Sequence, residues 1–309
     1  MKKQHYLTLV VFTAPCFQSN VRGESDGNRM TLQKITLGQE LRTLLSGVSL
    51  RWAIRDALMA NQGDENFFRH HHAENTLSGY SYGPNRSPSI KAGIRDTFLA
   101  GKTPADYEDH DFGFMVVETD VVNNDISKGQ YKSRASVLLG DGISLSPFGG
   151  ESTFHQGVNP KDKEEKDGTV RGGDIAPYSM ERHFSRYAFR VTFNLDGIPL
   201  HRMEAIVRVI LDGLQVGGGH TRAESEIVPE AVLWRFYNAP GSSGMYRPQY
   251  KASPSVDLDL GDFFQAADKR GIILNSAGTF TGQTEGHPEP LLLRDLVTTL
   301  KAKAAAFKE

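Results

Sequence analysis

The chain has 309 residues, with 39% hydrophobic and 23% charged side chains and a net charge of −2. This composition describes a globular chain with a core of ordinary size, not a disordered or fibrous one. A wholly basic nucleic-acid binder is excluded, so any anion-binding surface has to be local. No apolar run reaches the ~18 residues of a membrane span.

The first element, Tyr6 to Phe12, is rich in β-formers and stops at Pro15. Lys2, Lys3 and this run superficially imitate a signal peptide, and Thr13-Ala14-Pro15-Cys16 a lipoprotein box. The apolar run is too short, and proline stands where a small residue is needed, so a buried first strand is expected. Cys16 is the single cysteine, which rules out a disulfide within the chain and fits a reducing, cytoplasmic setting. It is expected to pack as a small apolar residue.

Asn20-Val21-Arg22-Gly23-Glu24-Ser25-Asp26-Gly27-Asn28 reads as a polar glycine loop. Glycines let the backbone approach a ligand, while Asn20, Arg22 and Asn28 offer donors for phosphate. From Asn20 to Arg55 there are six basic residues (Arg22, Arg29, Lys34, Arg42, Arg51, Arg55) against three acidic ones (Glu24, Asp26, Glu40). Met30 to Ile35 suggests a short strand, with Gln33 and Lys34 as further contacts. Leu41, Leu44 and Leu45 fit either a strand ending at Ser46-Gly47 or an early start of the next helix. That helix spans Ser49 to Asn61: Leu50, Ala53, Ile54, Ala57 and Leu58 follow the i, i+3, i+4, i+7, i+8 pattern. Arg51 and Arg55 share its opposite face and suit a phosphate backbone. Trp52 belongs to the core or to a subunit interface.

Residues 62–111 form a long polar insertion containing His70-His71-His72. Consecutive histidines point in different directions and make a poor metal face, even with Asp109-His110-Asp111 nearby, so no metal is expected. Phe112 to Thr119 reads as the second strand and Ala135 to Leu139 as another. A second insertion, 140–183, mixes lysines with acids in an exposed arm. Phe148 lies between Pro147 and Gly149, where it could pack against a displaced base; Arg171 and His183 are further contacts at the arm's end and base.

Tyr187, Phe189, Val191, Phe193 and Leu195 alternate with Ala188, Arg190, Thr192 and Asn194, predicting a third strand with one buried and one polar face. Arg186-Tyr187-Ala188-Phe189 imitates a base-stacking ribonucleoprotein strand. Its spacing is off by one and it lacks the glycine, so these aromatics are core. A helix from Leu200 to Leu214 follows, stopped by Gly217-Gly218-Gly219. That trio with His220 and Arg222 also suits a phosphate nest. Val232, Trp234 and Phe236 give the fourth strand. Beyond it come a β pattern at Val256 to Leu260, a helix near Phe263 to Lys269, a strand at Ile272 to Leu274, and a helix from Leu291 to Phe307. The order β-α-β, β-α-β is the split arrangement of an α+β, ferredoxin-like domain, with helices on one sheet face and the other left to the insertions. No Ser-His-Asp or Cys-His set, GxGxxG or Walker spacing is present, and no cofactor is expected.

Asn20-Val21-Arg22-Gly23-Glu24, the Leu50-Arg51-Trp52-Ala53-Ile54-Arg55 helix, the third strand and the glycine turn before His220-Thr221-Arg222 together resemble the CRISPR Cascade backbone ("Cas seven") family. The likeness is to its DevR-like branch, of type I and I-B-like, over Tyr6 to about Tyr237. The resemblance implies a modified RNA-recognition-motif palm (1–61, 112–139 and 184–309), a finger (62–111) and a thumb (140–183). It implies an RNA-binding, non-enzymatic subunit that oligomerises along guide CRISPR RNA and presents it to a target DNA strand. Its partners would be neighbouring copies and other Cascade subunits, with no membrane. In the family the thumb displaces a nucleotide at regular intervals. Two alternatives remain. One is a metal-dependent ribonuclease, as in type III relatives, with Asp141, Asp162, Asp167 or Asp174 supplying the acid; the other is a DevR-like regulator.

Overall fold

The computed structural model describes residues 4–18, 21–26, 29–60, 111–120, 125–158, 163–164, 170–171, 175–216, 226–238, 258–270, 272–280 and 290–308. In chain order its strands begin with β1 (Tyr6–Thr13), β2 (Cys16–Gln18), β3 (Val21–Asp26), β4 (Arg29–Leu32), β5 (Lys34–Leu37) and β6 (Glu40–Leu45). Helix α1 (Gly47–Ala60) follows, then β7 (Phe114–Asp120), β8 (Asp125–Ser133), β9 (Val137–Leu139) and β10 (Gly142–Ser144). Next come β11 (Ser152–Val158), β12 (Lys163–Glu164), β13 (Val170–Arg171), β14 (Ile175–Glu181), β15 (His183–Ser185) and β16 (Tyr187–Asn194). The chain ends with α2 (Leu200–Asp212), β17 (Leu214–Gln215), β18 (Glu226–Ile227), β19 (Pro229–Tyr237), α3 (Gly261–Asp268), β20 (Asn275–Gly278) and α4 (Leu293–Lys308).

The main sheet runs β20-β19-β1-β16-β10-β6-β5, and β9 also pairs with β16. β1 lies antiparallel between β16 (Leu9 opposite Val191) and β19 (Leu9 opposite Trp234). β9 and β10 share one edge of β16, at Val191–Phe193 and Tyr187–Ala188. Gly140 bridges them, donating its N–H to the Arg190 carbonyl at 2.8 Å. Gly142–Ser144, early in the second insertion, is therefore a main-sheet strand.

One face of this sheet carries the larger core. Leu7, Leu9 and Val11, then Tyr187, Phe189, Val191 and Phe193, then Val232 and Trp234 pack with Leu50, Ile54 and Leu58 of α1, Met203, Ile206 and Ile210 of α2, and Leu296 and Leu300 of α4. Each such side chain, fully buried, is worth about 1.5–3 kcal/mol. The opposite face is covered too. Val10, Phe12, Ala188, Ala231 and Leu233 pack under Leu258, Leu260, Leu274 and the α3 residues Phe264 and Ala267. The third strand was expected to keep one polar face. Instead Ala188 and Thr192 are buried, and of that set only Arg190 is exposed. Small side chains at these positions make room for the C-terminal segment.

A second sheet, β11-β14-β4-β3, joins the arm to the early hairpin. β11 and β14 form an antiparallel ribbon, and β14 pairs in parallel with β4 (Ser179 opposite Arg29). Val21–Asp26, expected as loop, is strand β3. Its polar residues are held by the ladder to β4, and the register shifts between Val21 and Ser25, around Gly23. Ladder hydrogen bonds thus override composition.

Other boundaries differ from the sequence reading. Leu41, Leu44 and Leu45 are strand, because β6 pairs with β5 and β10. The run beginning near Phe112 is β7, which pairs with β8 in a separate two-stranded sheet while β9 and β10 occupy the edge of β16. α2 ends at Asp212, where Gly213 adopts φ +105°, before the glycine trio is reached. The strand expected at Ile272–Leu274 lies at Asn275–Gly278, in register with Ala231–Trp234. No helix among the described residues is long and apolar enough to cross a membrane.

Candidate nucleic-acid interface

Lys34 of β5, Phe148 and His183 of β15, candidates from three separate segments, meet where the β11–β14 ribbon joins the main sheet. Their organiser is Glu181, the last residue of β14. Its carboxylate is buried and accepts from Lys34 Nζ at 2.6 Å and from the Leu32 N–H at 2.9 Å, while Arg29 Nη2 lies 2.9 Å away. Burial raises its pKa, but the hydrogen bonds from Lys34 and Leu32, with the charges of Lys34 and Arg29, outweigh this and hold it below the ordinary carboxylate value. Two cations thus share one carboxylate, and Asp26 stands opposite Arg29 in the β3–β4 register.

Lys34 Nζ also lies 5.1 Å from the Phe148 ring centroid. Phe148 donates its backbone N–H to the Leu41 carbonyl at 2.7 Å and meets the His183 ring at 5.4 Å and 72°. The aromatic expected to be free for a displaced base is therefore already packed at this junction. His183 is buried; its Nδ1 lies 2.8 Å from Thr43 Oγ1 and its Nε2 3.3 Å from Ser146 Oγ. Thr43 Oγ1 also lies 2.7 Å from the Tyr187 hydroxyl. Burial pushes the Tyr187 phenol up and the His183 imidazole down; Glu151 opposes the latter shift only in part. Gln33 is half-buried, and its carbonyl accepts the Leu44 N–H at 2.8 Å.

Arg51 and Arg55 form a second group, on α1. Ser46 begins this helix: its Oγ accepts the Ser49 N–H at 3.1 Å, and its carbonyl accepts the Leu50 N–H at 3.0 Å. Asp141 Oδ1 accepts the Gly47 N–H at 2.7 Å. A Cβ at Gly47 would lie 2.8 Å from the Leu139 carbonyl oxygen, so only glycine lets α1 start this close to β9. Arg51 is half-buried, and its Nε is buried without a hydrogen-bond partner. Burial and then the neighbouring Arg55 charge lower its pKa. The Arg55 guanidinium lies 5.9 Å from the Phe112 centroid. Trp52 is 51% exposed, so it is not a core residue.

The excess of basic residues between Asn20 and Arg55 is smaller at the surface than in the sequence. Arg42 is buried, donating to the Ser144 carbonyl at 2.9 Å and pairing with Glu40. Lys34 and Arg29 share Glu181. Glu181 was missed by sequence reasoning; an acid ending one strand in a charge-mixed arm carries no signal of three partners elsewhere.

Asn20, Asn28, Gly217, Gly218, Gly219, His220 and Arg222 lie outside the described residues, as do His70-His71-His72, Asp109 and His110. For Arg22 and Arg171 the strand is described but not the side chain; Arg171 pairs with Lys163 across β12–β13. Asp111 forms a buried ion pair with Arg202 Nε at 3.0 Å. No group of three or more metal-ligating side chains occurs among the described residues. Cys16 packs against the larger core; its thiol lies 3.8 Å from the Ser185 carbonyl, and burial raises its pKa.

No protein-family model matches the chain. It is 26% identical over 224 residues to "CRISPR-associated protein Cas7/Cst2/DevR" of Myxococcus xanthus (strain DK1622), covering 70% of this chain and 67% of that protein. In fold it is similar to a solved chain of "CRISPR RNA-guided surveillance complex, pre-nicking". That match has a TM-score of 0.56 and 13% identity, covering 97% of this chain and 100% of the other. A chain of "CRISPR RNA-guided surveillance complex" gives 0.51 and 13%, covering 95% and 99%. The resemblance to the Cas7/Cst2/DevR family, implied by the motifs between Tyr6 and Tyr237, thus holds in sequence over 70% of the chain and is matched by a shared fold.

Proposed function

We propose that this chain is a CRISPR RNA-binding backbone subunit of a type I Cascade-like surveillance complex. Copies line up along one guide RNA, hold its sugar–phosphate without regard to sequence and present it for pairing with a target DNA strand. Its partners are the guide, neighbouring copies and other Cascade subunits, and it works in the cytoplasm. The observation that carries this reading is the likeness over 224 residues to a Cas7/Cst2/DevR protein. A subunit that accepts any guide has to grip backbone and shape, and repetition along the RNA supplies the affinity.

The strand and helix order supports a ferredoxin-like palm. β1, α1, β9, β16, α2 and β19 follow the split β-α-β scheme, with sheet order β19-β1-β16-β9. On this reading the palm comprises residues 1–61, 112–139 and 184–309, the finger 62–111 and the thumb 140–183. The backbone-contacting set is Asn20, Arg22, Asn28, Gln33, Lys34, Arg51, Arg55 and the Gly217–Arg222 turn. Arg171 serves as the contact along the thumb, whose base Phe148 and His183 brace by their packing.

The subunit performs no chemistry of its own. Of the acids considered for a ribonuclease, Asp141 is used in holding the first turn of α1. Incubating the assembled complex with complementary RNA and magnesium tests this: intact RNA is expected, and periodic cuts would make it an enzyme. The function itself is tested by purifying the expressed protein with its guide and partners. The expected outcome is co-purified RNA, read as a raised 260/280 nm absorbance ratio, on a ladder of oligomers. An RNA-free monomer under those conditions overturns the proposal.

A further inference from the structure

The arm leaves the main sheet at Ser146–Phe148 and returns at Arg182–His183, and a buried run of side-chain hydrogen bonds crosses its base. His183 sits in the middle, between Thr43 of β6 and Ser146. The direction of each bond follows from the one at Tyr187. That phenol is wholly buried and its pKa is pushed up, so it keeps its proton and donates it to Thr43 Oγ1, 2.7 Å away. The single hydroxyl proton of Thr43 is then directed to His183 Nδ1 at 2.8 Å, which makes Nδ1 an acceptor and places the ring proton on Nε2. Ser146 Oγ lies 3.3 Å from Nε2, and the Pro147 carbonyl accepts from the ring as well. Ser146 Oγ donates to Ser185 Oγ at 2.7 Å, and Ser185 Oγ to the Arg186 carbonyl at 2.9 Å. Every hydroxyl proton of the run thus points one way, and the run ends on a group that can only accept.

A second proton on the ring has no place in this order. At Nδ1 it would face the hydroxyl proton of Thr43, and it would put a cation into a site that is 2% exposed. Charged and titratable groups surround the ring from each neighbouring element: Arg42 of β6, Glu151 ahead of β11, Tyr187 of β16, Cys16 of β2, and Lys34 of β5, which lies across Phe148 and pairs with Glu181 of β14. Arg42 opposes a positive ring; Glu151 favours one and is itself exposed. A charged imidazole therefore gains by turning out of the run towards Glu151 and water, which undoes its contacts to Thr43, Ser146 and the Phe148 ring.

We propose that neutral His183 is a clasp across the base of the arm, and that its protonation frees the arm's two roots from the main sheet while the core stays folded. The clasp makes no use of RNA, so it stands or falls separately from the function proposed above. One proton taken up per opening makes opening about tenfold more frequent for each pH unit below about 6.5, the value of an unconstrained imidazole, until the closed form titrates as well.

The test is hydrogen exchange of the full-length protein between about pH 7.5 and about pH 5.5, above the ordinary carboxylate range, with the intrinsic pH dependence of exchange divided out. The root amides are Leu145, Phe148 and Arg182, which donate to the carbonyls of Arg186, Leu41 and Glu151. Their protection is expected to be lower than that of the β1–β16 ladder, level above about pH 6.5 and falling about tenfold per unit below it. His183→Asn, which offers an acceptor oxygen to Thr43 but takes up no proton, is expected to abolish that fall. Nitrogen-15 spectra of the imidazoles should show His183 in the Nε2–H form, and Thr43→Val, which removes the proton facing Nδ1, should raise its titration midpoint. The clasp is overturned by level protection in the parent chain, by the same fall in His183→Asn, or by an Nδ1–H tautomer. Root amides that merely track the β1–β16 ladder also overturn it, because His183 then acts on global stability alone. Should His183→Asn not fold, the Thr43→Val midpoint decides, and an unchanged midpoint counts against the clasp.

Discussion

Glu181 shows how one side chain can unite distant segments. Removing it by Glu181→Ala leaves the Leu32 N–H without its acceptor and two cations without their counter-charge, at a cost of roughly 1–3 kcal/mol. Glu181→Gln keeps an acceptor oxygen and is expected to cost less; urea denaturation of both variants measures the difference. Acid acts in the same direction through two groups. The folded pKa of Glu181 is below its unfolded value, so its stabilisation is present above the unfolded carboxylate value and is lost as pH falls through the folded one. His183 is also depressed, by burial. Below about pH 6.5 its unfolded form takes up a proton that the folded form resists, so stability declines as pH drops from there. Thermal melts at descending pH should therefore show a falling midpoint beginning near pH 6.5 and steepening in the carboxylate range. A flat profile would mean neither group is coupled to folding.

At the scale of elements, periodicity made the helices and inner strands legible. Leu50, Ile54 and Leu58 in α1 and Met203, Ile206 and Ile210 in α2 repeat a burial pattern that the structure reproduces, and the apolar positions Tyr187, Phe189, Val191, Phe193 and Leu195 are buried as expected, although Ala188 and Thr192 between them are buried too. Non-local pairing was not legible. Val21–Asp26 has a loop's composition and is a strand only because β4 lies beside it. The C-terminal cover over Ala188 and Ala231 left no mark in the sequence of β16 beyond small side chains. Gly278 gives a sharp element-level prediction. Its φ is +105°, and an added Cβ would fall 2.2 Å from the Glu230 carbonyl oxygen. Gly278→Ala therefore has to break the pairing of β20 with β19, costing at least about 1–3 kcal/mol for the backbone conformation alone. Hydrogen exchange should become faster at Val232 and Trp234 than along the β1–β16 ladder.

For the whole molecule, the family likeness was readable because the order of several weak motifs survives where no single one is diagnostic. The site was only partly readable. Local charge counts cannot foresee that Arg42 turns inward or that Lys34 spends its charge on Glu181. Arg51→Ala combined with Arg55→Ala is expected to lower RNA affinity severalfold and to flatten its salt dependence. The half-buried stem of Arg51 adds a stability cost of under about 1 kcal/mol, visible as a small drop in melting midpoint. Loss of folding instead would make both arginines structural. The Asp111–Arg202 pair carries a different consequence. Both side chains are almost wholly inaccessible. Asp111, with the buried Phe112 beside it, thus ties the segment entering β7 to α2. Asp111→Ala, which leaves the Arg202 guanidinium on α2 buried without this carboxylate, is expected to cost about 3–5 kcal/mol, read as a lowered urea midpoint.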